Sequence, residues 1–173
     1  KIQDAQQKIE AFRDCPGIHW HLIGHVQSNK AKLAIQLFDW IHSVDSLKLA
    51  KRLNRLAQED QKIPKVCLQV KVRPDPDKYG WDTRQLLSDL PELEALNQIH
   101  IQGLMAILPR GLTESEILSA FQDVQSLATQ ITYDPQNSLT LPELSMGMSQ
   151  DYLLAIKAGA TMIRLGRILF PSL

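Results

Sequence analysis

Between Leu144 and Arg167 the sequence offers hydroxyls at Ser145 and Ser149, glycines at Gly147 and Gly166, and positive charges at Arg164 and Arg167. Glycine has no Cβ, so a backbone N–H at Gly147 or Gly166 can close on an anion, and hydroxyls with a guanidinium complete the donors a phosphate needs. Taken singly, each of these residues is as readily a helix cap, a turn or an ion-pair partner. Taken together they point to a phosphate site. Ser145-Met146-Gly147-Met148-Ser149 stands just before a predicted helix from Gln150 to Ala158, with Ser149 as its N-cap, Asp151 in its first turn and Gly159 as its stop. A strand predicted from Thr161 to Leu165 then brings Arg164, Gly166 and Arg167 to the same end.

The elements that must position these residues alternate. A helix with Ile2, Ala5, Ile9 and Phe12 on one stripe stops at Cys15-Pro16-Gly17, and Lys1 places the start of the chain inside that element. A strand is predicted over 18–23, a helix over 29–37, a strand over 40–44, and a helix capped by Asp45 or Ser46 with Leu49, Leu53, Leu56 and Ala57 on its buried stripe. The clearest strand is Pro64 to Val72, with Val66, Leu68, Val70 and Val72 on one face and Cys67, Gln69 and Lys71 on the other. A helix from Thr83 to about Leu96, with a possible break at Pro91, leads to a strand over 101–107. Thr113 and Glu116 form a capping box for a long amphipathic helix. Six strands alternating with helices predict a parallel sheet covered by helices. An open doubly wound sheet and a barrel both fit that order, and phosphate donors after the last two strands favour the TIM-type (β/α) barrel. A complete barrel takes ~250 residues and rarely fewer than ~200, so 173 residues fall about two strand units short.

In a barrel, Gln69 and Lys71 face the axis or its mouth. A lysine there either does chemistry through a burial-lowered pKa or pairs with a carboxylate, and the sequence leaves both open. Asp75 and Asp77, spaced by prolines, shape a turn more readily than they hold a metal, and no metal site is expected. Lys plus Arg balances Asp plus Glu at 19 each, which leaves no electrostatic footprint for nucleic acid. Cys15 and Cys67 sit in unrelated contexts without metal-ligand spacing, and no apolar run approaches the ~20 residues that span a bilayer. The chain is therefore expected to be a cytoplasmic protein forming one domain over residues 1–173, without nucleic-acid or membrane partners.

Five segments resemble one family in its order: WHLIGHVQSNKAK at Trp20 to Lys32, HSVDS at His42 to Ser46, LQVKVRPDPDKYGW at Leu68 to Trp81, GLMAILP at Gly103 to Pro109, and LSMGMSQDYLLAIKAGATMIRLG at Leu144 to Gly166. They resemble the pyridoxal phosphate homeostasis proteins, whose barrel is similar to the N-terminal domain of alanine racemase. The resemblance implies a single-domain, alanine racemase-like barrel that binds pyridoxal 5′-phosphate, has no catalytic residues, and balances vitamin B6 and amino- and keto-acid pools. It implies that Ser145, the Met146-Gly147 backbone and Ser149 line the phosphate end, that Gly166 and Arg167 add backbone N–H groups, and that Arg164 faces the pyridine nitrogen. Asn29 and Met105 become candidates for the ring's surroundings.

The family's Schiff-base lysine lies on its first barrel strand, and the first strand, first helix and second strand have no counterpart here, in agreement with the two units missing by length. Arg167 stands where threonine is common, Lys71 where asparagine is common, and Pro171 where glycine usually follows. The expectation is then an N-terminally incomplete barrel that binds the cofactor weakly and non-covalently, and a monomer if complete. A racemase-type enzyme is the alternative, though it needs a lysine and an opposing acid-base residue that cannot be identified here. A truncated remnant that binds nothing is the other, with exposed strand edges prone to aggregate.

Overall fold

The computed structural model describes residues 2–170; Lys1 and residues 171–173, Pro171 among them, lie outside the described residues. Twelve elements follow in alternation: α1 (Ile2–Ala11), β1 (His21–Leu22), α2 (Ala31–Leu37), β2 (Trp40–Val44), α3 (Leu47–Asp60), β3 (Lys65–Gln69), α4 (Thr83–Glu94), β4 (His100–Met105), α5 (Glu114–Tyr133), β5 (Glu143–Met148), α6 (Tyr152–Lys157) and β6 (Met162–Arg164). All strand pairs are parallel, and the sheet order is β1-β2-β3-β4-β5-β6. A sequential order is that of a barrel wound in one direction; a doubly wound sheet reverses at a switch point. β1 is paired only with β2 and β6 only with β5 among the described residues, so the six strands form a half-barrel open between them.

Side-chain alternation sorts the sheet into two faces. Ile41, Val44, Val66, Leu68, Leu104, Leu144 and Met146 join the large core beneath the helices. Trp40, Cys67 and Met105 form a second, smaller cluster, with Ile107 and Met162 against it. The two faces predicted for β3 are thus present: Val66 and Leu68 pack outward, Cys67 inward. On the helical side, α3 buries Leu49, Leu53, Leu56 and Ala57, and Ser46 Oγ accepts from Leu49 N at its start. The capping box holds at α5, where Thr113 Oγ1 accepts from Glu116 N and Glu116 accepts from Thr113 N.

Several local expectations are corrected. The strand predicted over 18–23 is only two residues long, because β1 is an edge that pairs with β2 at His21 and Leu22 alone. The helix predicted from Asn29 opens with a 3-10 turn over 28–30. Pro91, on an exposed position, does not break α4. Ser145 and Gly147, read as part of an approach to a helix, lie inside β5. Ser149 does not cap α6: the N-cap position is Asp151, whose carboxylate accepts from Met148 N at 2.5 Å, and Ser149 Oγ accepts from Gly166 N at 3.2 Å instead. No helix among the described residues is long and apolar enough to cross a membrane.

Two glycines are required by close approach. A Cβ at Gly103 would lie 1.9 Å from the Glu143 carbonyl oxygen of the neighbouring strand, and at Gly147 (φ +94°) 2.6 Å from Ala155 Cβ in α6. At Gly24 a Cβ meets nothing within 4 Å. Gly103→Ala is therefore expected to cost about 2 kcal/mol or more of stability, because the clash is with backbone that cannot yield. Gly24→Ala should change it by less than about 0.5 kcal/mol. Denaturation midpoints of the two variants compared with the parent check both figures.

Candidate functional site

The inner face of the half-barrel carries a continuous polar chain. Arg164, from β6, is 8% exposed; its Nη1 donates to Ser145 Oγ at 2.7 Å and its Nη2 to the Ala106 carbonyl at 2.8 Å. Ser145, from β5, is fully buried and its Oγ lies 2.7 Å from Nδ1 of His42 in β2. His42 Nε2 in turn lies 2.8 Å from Nδ1 of His21 in β1. The rings of His21 and Trp40 stack at 5.5 Å between centroids. Strand alternation explains part of the assembly: Trp40 and His42, two apart in β2, face one side, whereas Gly147, two residues after Ser145 in β5, has a φ of +94° that breaks the alternation and sets it against α6.

Burial governs the electrostatics. It lowers the Arg164 pKa to about 10, which leaves the guanidinium protonated at neutral pH. Burial, then the neighbouring His21 and Arg164, push His42 down to about 3, so its imidazole is neutral. Burial and the Glu143 charge push the Cys67 thiol up to about 12. Arg164 Nε is buried with no hydrogen-bond partner. A buried donor on a charged group, left without an acceptor, is the clearest sign that something polar is to be placed against it.

Beyond this chain, at the C-terminal strand ends, the exits of β4, β5 and β6 border a cavity of about 500 Å³. Met148, Ser149, Gln150 and Asp151 line it from one side, Gly166 and Arg167 from another, and Lys78 and Arg110 complete it. The exit loop of β6 is tied to that of β5 by the Gly166 N to Ser149 Oγ bond. A second cavity, of about 440 Å³, lies at the ends of β1 to β3 and is lined by His25, Asp45, Lys48, Lys71, Lys78 and Tyr79 among others.

The sequence-predicted residues divide accordingly. Ser149, Gly166 and Arg167 meet at the first cavity. Ser145 lies deeper, joined to Arg164, and Gly147 lies between them against α6. The Met146 side chain turns away into the outer core, so only its backbone is on offer. Met105 is buried beside Trp40 and Cys67, whereas Asn29 is exposed in the 3-10 turn. Lys71 lines the second cavity with Asp45 and Lys78. Among the described residues no group of three or more His, Cys, Asp or Glu is placed to hold a metal. His21 and His42 were not among the predicted residues, although their alternation with Leu22 and Ile41 puts polar side chains in phase on the inner face. Lys78 and Arg110 come from loops, where no periodicity marks them.

A parallel half-barrel with a buried arginine on its last strand and donors at the strand exits defines the class. The sequence profile of the alanine racemase N-terminal domain matches residues 2–172. A pyridoxal phosphate homeostasis protein of Synechocystis is 51% identical over 170 residues, covering 98% of this chain and 77% of the relative. The one of Escherichia coli K12 is 34% identical over 177 residues, covering 99% and 73%. The structure of PipY from Synechococcus elongatus without PLP superposes with a TM-score of 0.93 at 50% identity, over 98% of this chain and 79% of that one. PipY with PLP bound gives 0.91 at 48%, over 98% and 78%. Alanine racemase of Clostridium difficile shares the fold alone, at 14% identity, a TM-score of 0.68, and 95% and 42% coverage. The chain belongs to the alanine racemase N-terminal domain family and, within it, to the pyridoxal phosphate homeostasis proteins.

Two outcomes follow from the burial of these groups. Cys15 is exposed and Cys67 buried, so a thiol reagent at neutral pH should label one cysteine in the folded chain and both after unfolding; rapid labelling of both in the folded state would contradict the burial. For His42 the folded pKa lies below the ordinary 6.5, so between about pH 6.5 and 3 the unfolded chain binds more protons. Stability from this group is complete above about 6.5 and is lost as pH falls, at about 1.4 kcal/mol per pH unit. The slope should diminish in His42→Gln, measured by denaturation at several pH values.

Proposed function

We propose that this chain binds pyridoxal 5′-phosphate on the inner face and mouth of the half-barrel and serves as a non-catalytic carrier or regulator in the homeostasis of that cofactor and of amino and keto acids. The observation that carries the reading is Arg164 Nε, a buried donor of a protonated group with no acceptor. In this reading the Ser149 hydroxyl and the backbone N–H of Arg167 hold the phosphate, with Gly166, whose N–H is given to Ser149 Oγ, bringing the two together, Gly147 and the Met146 backbone alongside, and Arg167, Lys78 and Arg110 supplying positive charge. Ser145 acts from beneath by fixing Arg164.

Pyridoxal 5′-phosphate, when bound, supplies an aldehyde and an aromatic ring that withdraws electrons best with its nitrogen protonated. Arg164 donates N–H groups but gives up no proton at neutral pH, since its pKa stays near 10. An acceptor facing it therefore stays unprotonated, which suits a carrier. Racemase chemistry needs two acid-base groups across a substrate carbon. His42 has both nitrogens engaged, Cys67 keeps its proton to about pH 12, and Lys71 faces a separate cavity. We also infer that the 173 residues belong to one domain, that it acts in the cytoplasm without nucleic-acid partners, and that it is a monomer when complete.

Titration with pyridoxal 5′-phosphate, followed by tryptophan fluorescence, should give saturable quenching that inorganic phosphate relieves. The double variant Ser149→Ala, Arg167→Ala, altering two residues outside the core, should keep the fold and weaken binding about tenfold or more. Absence of saturable binding, or unchanged affinity in the double variant, would contradict the assignment.

A further inference from the structure

We propose that His42 and Ser145 are positioning residues for Arg164, and that the hydrogen bonds from Arg164 through Ser145 and His42 to His21 run in one direction, so that a proton added at His21 reverses the two bonds made by His42 and weakens the hold of Ser145 on the guanidinium. The direction follows from the end group. Arg164 has donors only, so Ser145 Oγ accepts from its Nη1. The Ser145 hydroxyl still has one proton to place in a fully buried position, and His42 Nδ1, at 2.7 Å, is the acceptor beside it. A neutral histidine carries one ring proton. With Nδ1 accepting, the proton of His42 is on Nε2, and it is donated to His21 Nδ1 at 2.8 Å. His21 is thereby also fixed with its proton on Nε2.

A proton on His21 Nδ1 turns the last acceptor into a donor. His42 then moves its own proton to Nδ1, and Ser145 Oγ faces a donor from His42 and another from Arg164. Its own hydroxyl proton is left without a partner where no solvent reaches. The buried end of the chain therefore resists protonation at the other end, which, unlike His42, is half-exposed. Charged and titratable groups facing His21 are His42 in β2, His19 ahead of β1, Asp39 ahead of β2 and Lys65 at the start of β3. Partial burial, then His19 and Lys65, lower its proton affinity against the opposing charge of Asp39; His42 is faced by His21 and Arg164. Asp39 Oδ2 is itself occupied by Trp20 N at 2.8 Å.

Long-range 1H–15N correlation spectra of the chain with 15N-labelled histidine, recorded without cofactor from pH 8 to 4, read each tautomer directly. Expected are His42 protonated on Nε2 while His21 is neutral and on Nδ1 once His21 is protonated, with His21 titrating below the ordinary value. In Ser145→Ala, which removes the link, His21 should titrate higher than in the parent, and Ser145→Thr, which keeps the hydroxyl, should restore the parent value. His42 protonated on Nδ1 at pH 8, or the same His21 titration in parent and Ser145→Ala, overturns the proposal; if Ser145→Ala does not fold, the His42 tautomer of the parent at pH 8 decides. The consequence for ligand binding rests on the cofactor reading above, whereas the direction of the bonds does not. Affinity for pyridoxal 5′-phosphate should fall roughly tenfold or more as His21 protonates, and His21→Phe should lack that part of the pH dependence. Equal pH dependence in both proteins overturns the reversal, while the expected tautomers with no binding at any pH support the direction and defeat the cofactor reading.

Discussion

A protonated guanidinium held out of water on the inner face of an open sheet is the constraint around which the rest of this structure is arranged. Moving such a charge from water to the interior costs several kcal/mol even after relaxation, and no carboxylate lies within ion-pair distance of Arg164 among the described residues. What offsets the cost is a set of neutral acceptors: Ser145 Oγ and the Ala106 carbonyl. They leave Nε unpaired. A cation supported by neutral acceptors keeps its charge available to a ligand, which a salt bridge would have cancelled.

The fold serves this arrangement through its winding. Because the strands follow one another in order, residues far apart in sequence converge on one concave face: His42 and Ser145 are separated by 103 positions yet meet at 2.7 Å. On the outer face of the same strands Ile41, Val66, Leu68, Leu104, Leu144 and Met146 are locked beneath helices. Gly103 lets β4 and β5 approach, and Gly147 lets β5 lie against α6, so the strand that carries Ser145 is held from both sides. The phosphate-binding reading draws on the exits of these strands, where loops are free of packing demands and Gly166 is tied back to Ser149.

Much of this was legible in the sequence. Two-residue alternation in Pro64 to Val72 gave away both faces of β3, the Thr113 and Glu116 pair marked the start of α5, and the helix-strand alternation foretold six parallel strands. The exits of β5 and β6 were recognisable from Ser149, Gly166 and Arg167. What alternation could not supply was depth. Ser145 and Ser149 look alike in sequence, yet one is sealed beneath Arg164 and the other lies at the mouth, because β5 extends to Met148. The Ser149 cap was misplaced because a serine before a helix can bond to a neighbouring strand's N–H as well as to its own helix. His21 and His42 are not marked in the sequence, since a histidine in a short apolar strand has no periodic signature of its own and their partner is far along the chain.

The most direct test of the account is a crystal structure of the chain soaked with pyridoxal 5′-phosphate. The phosphate is expected against Ser149, Gly166 and Arg167, with the pyridine nitrogen within hydrogen-bond distance of the Arg164 guanidinium and Ser145 still bonded to both Arg164 and His42. A ligand seated in the cavity beside Lys71 and Asp45, with Arg164 Nε still unpaired, would contradict it.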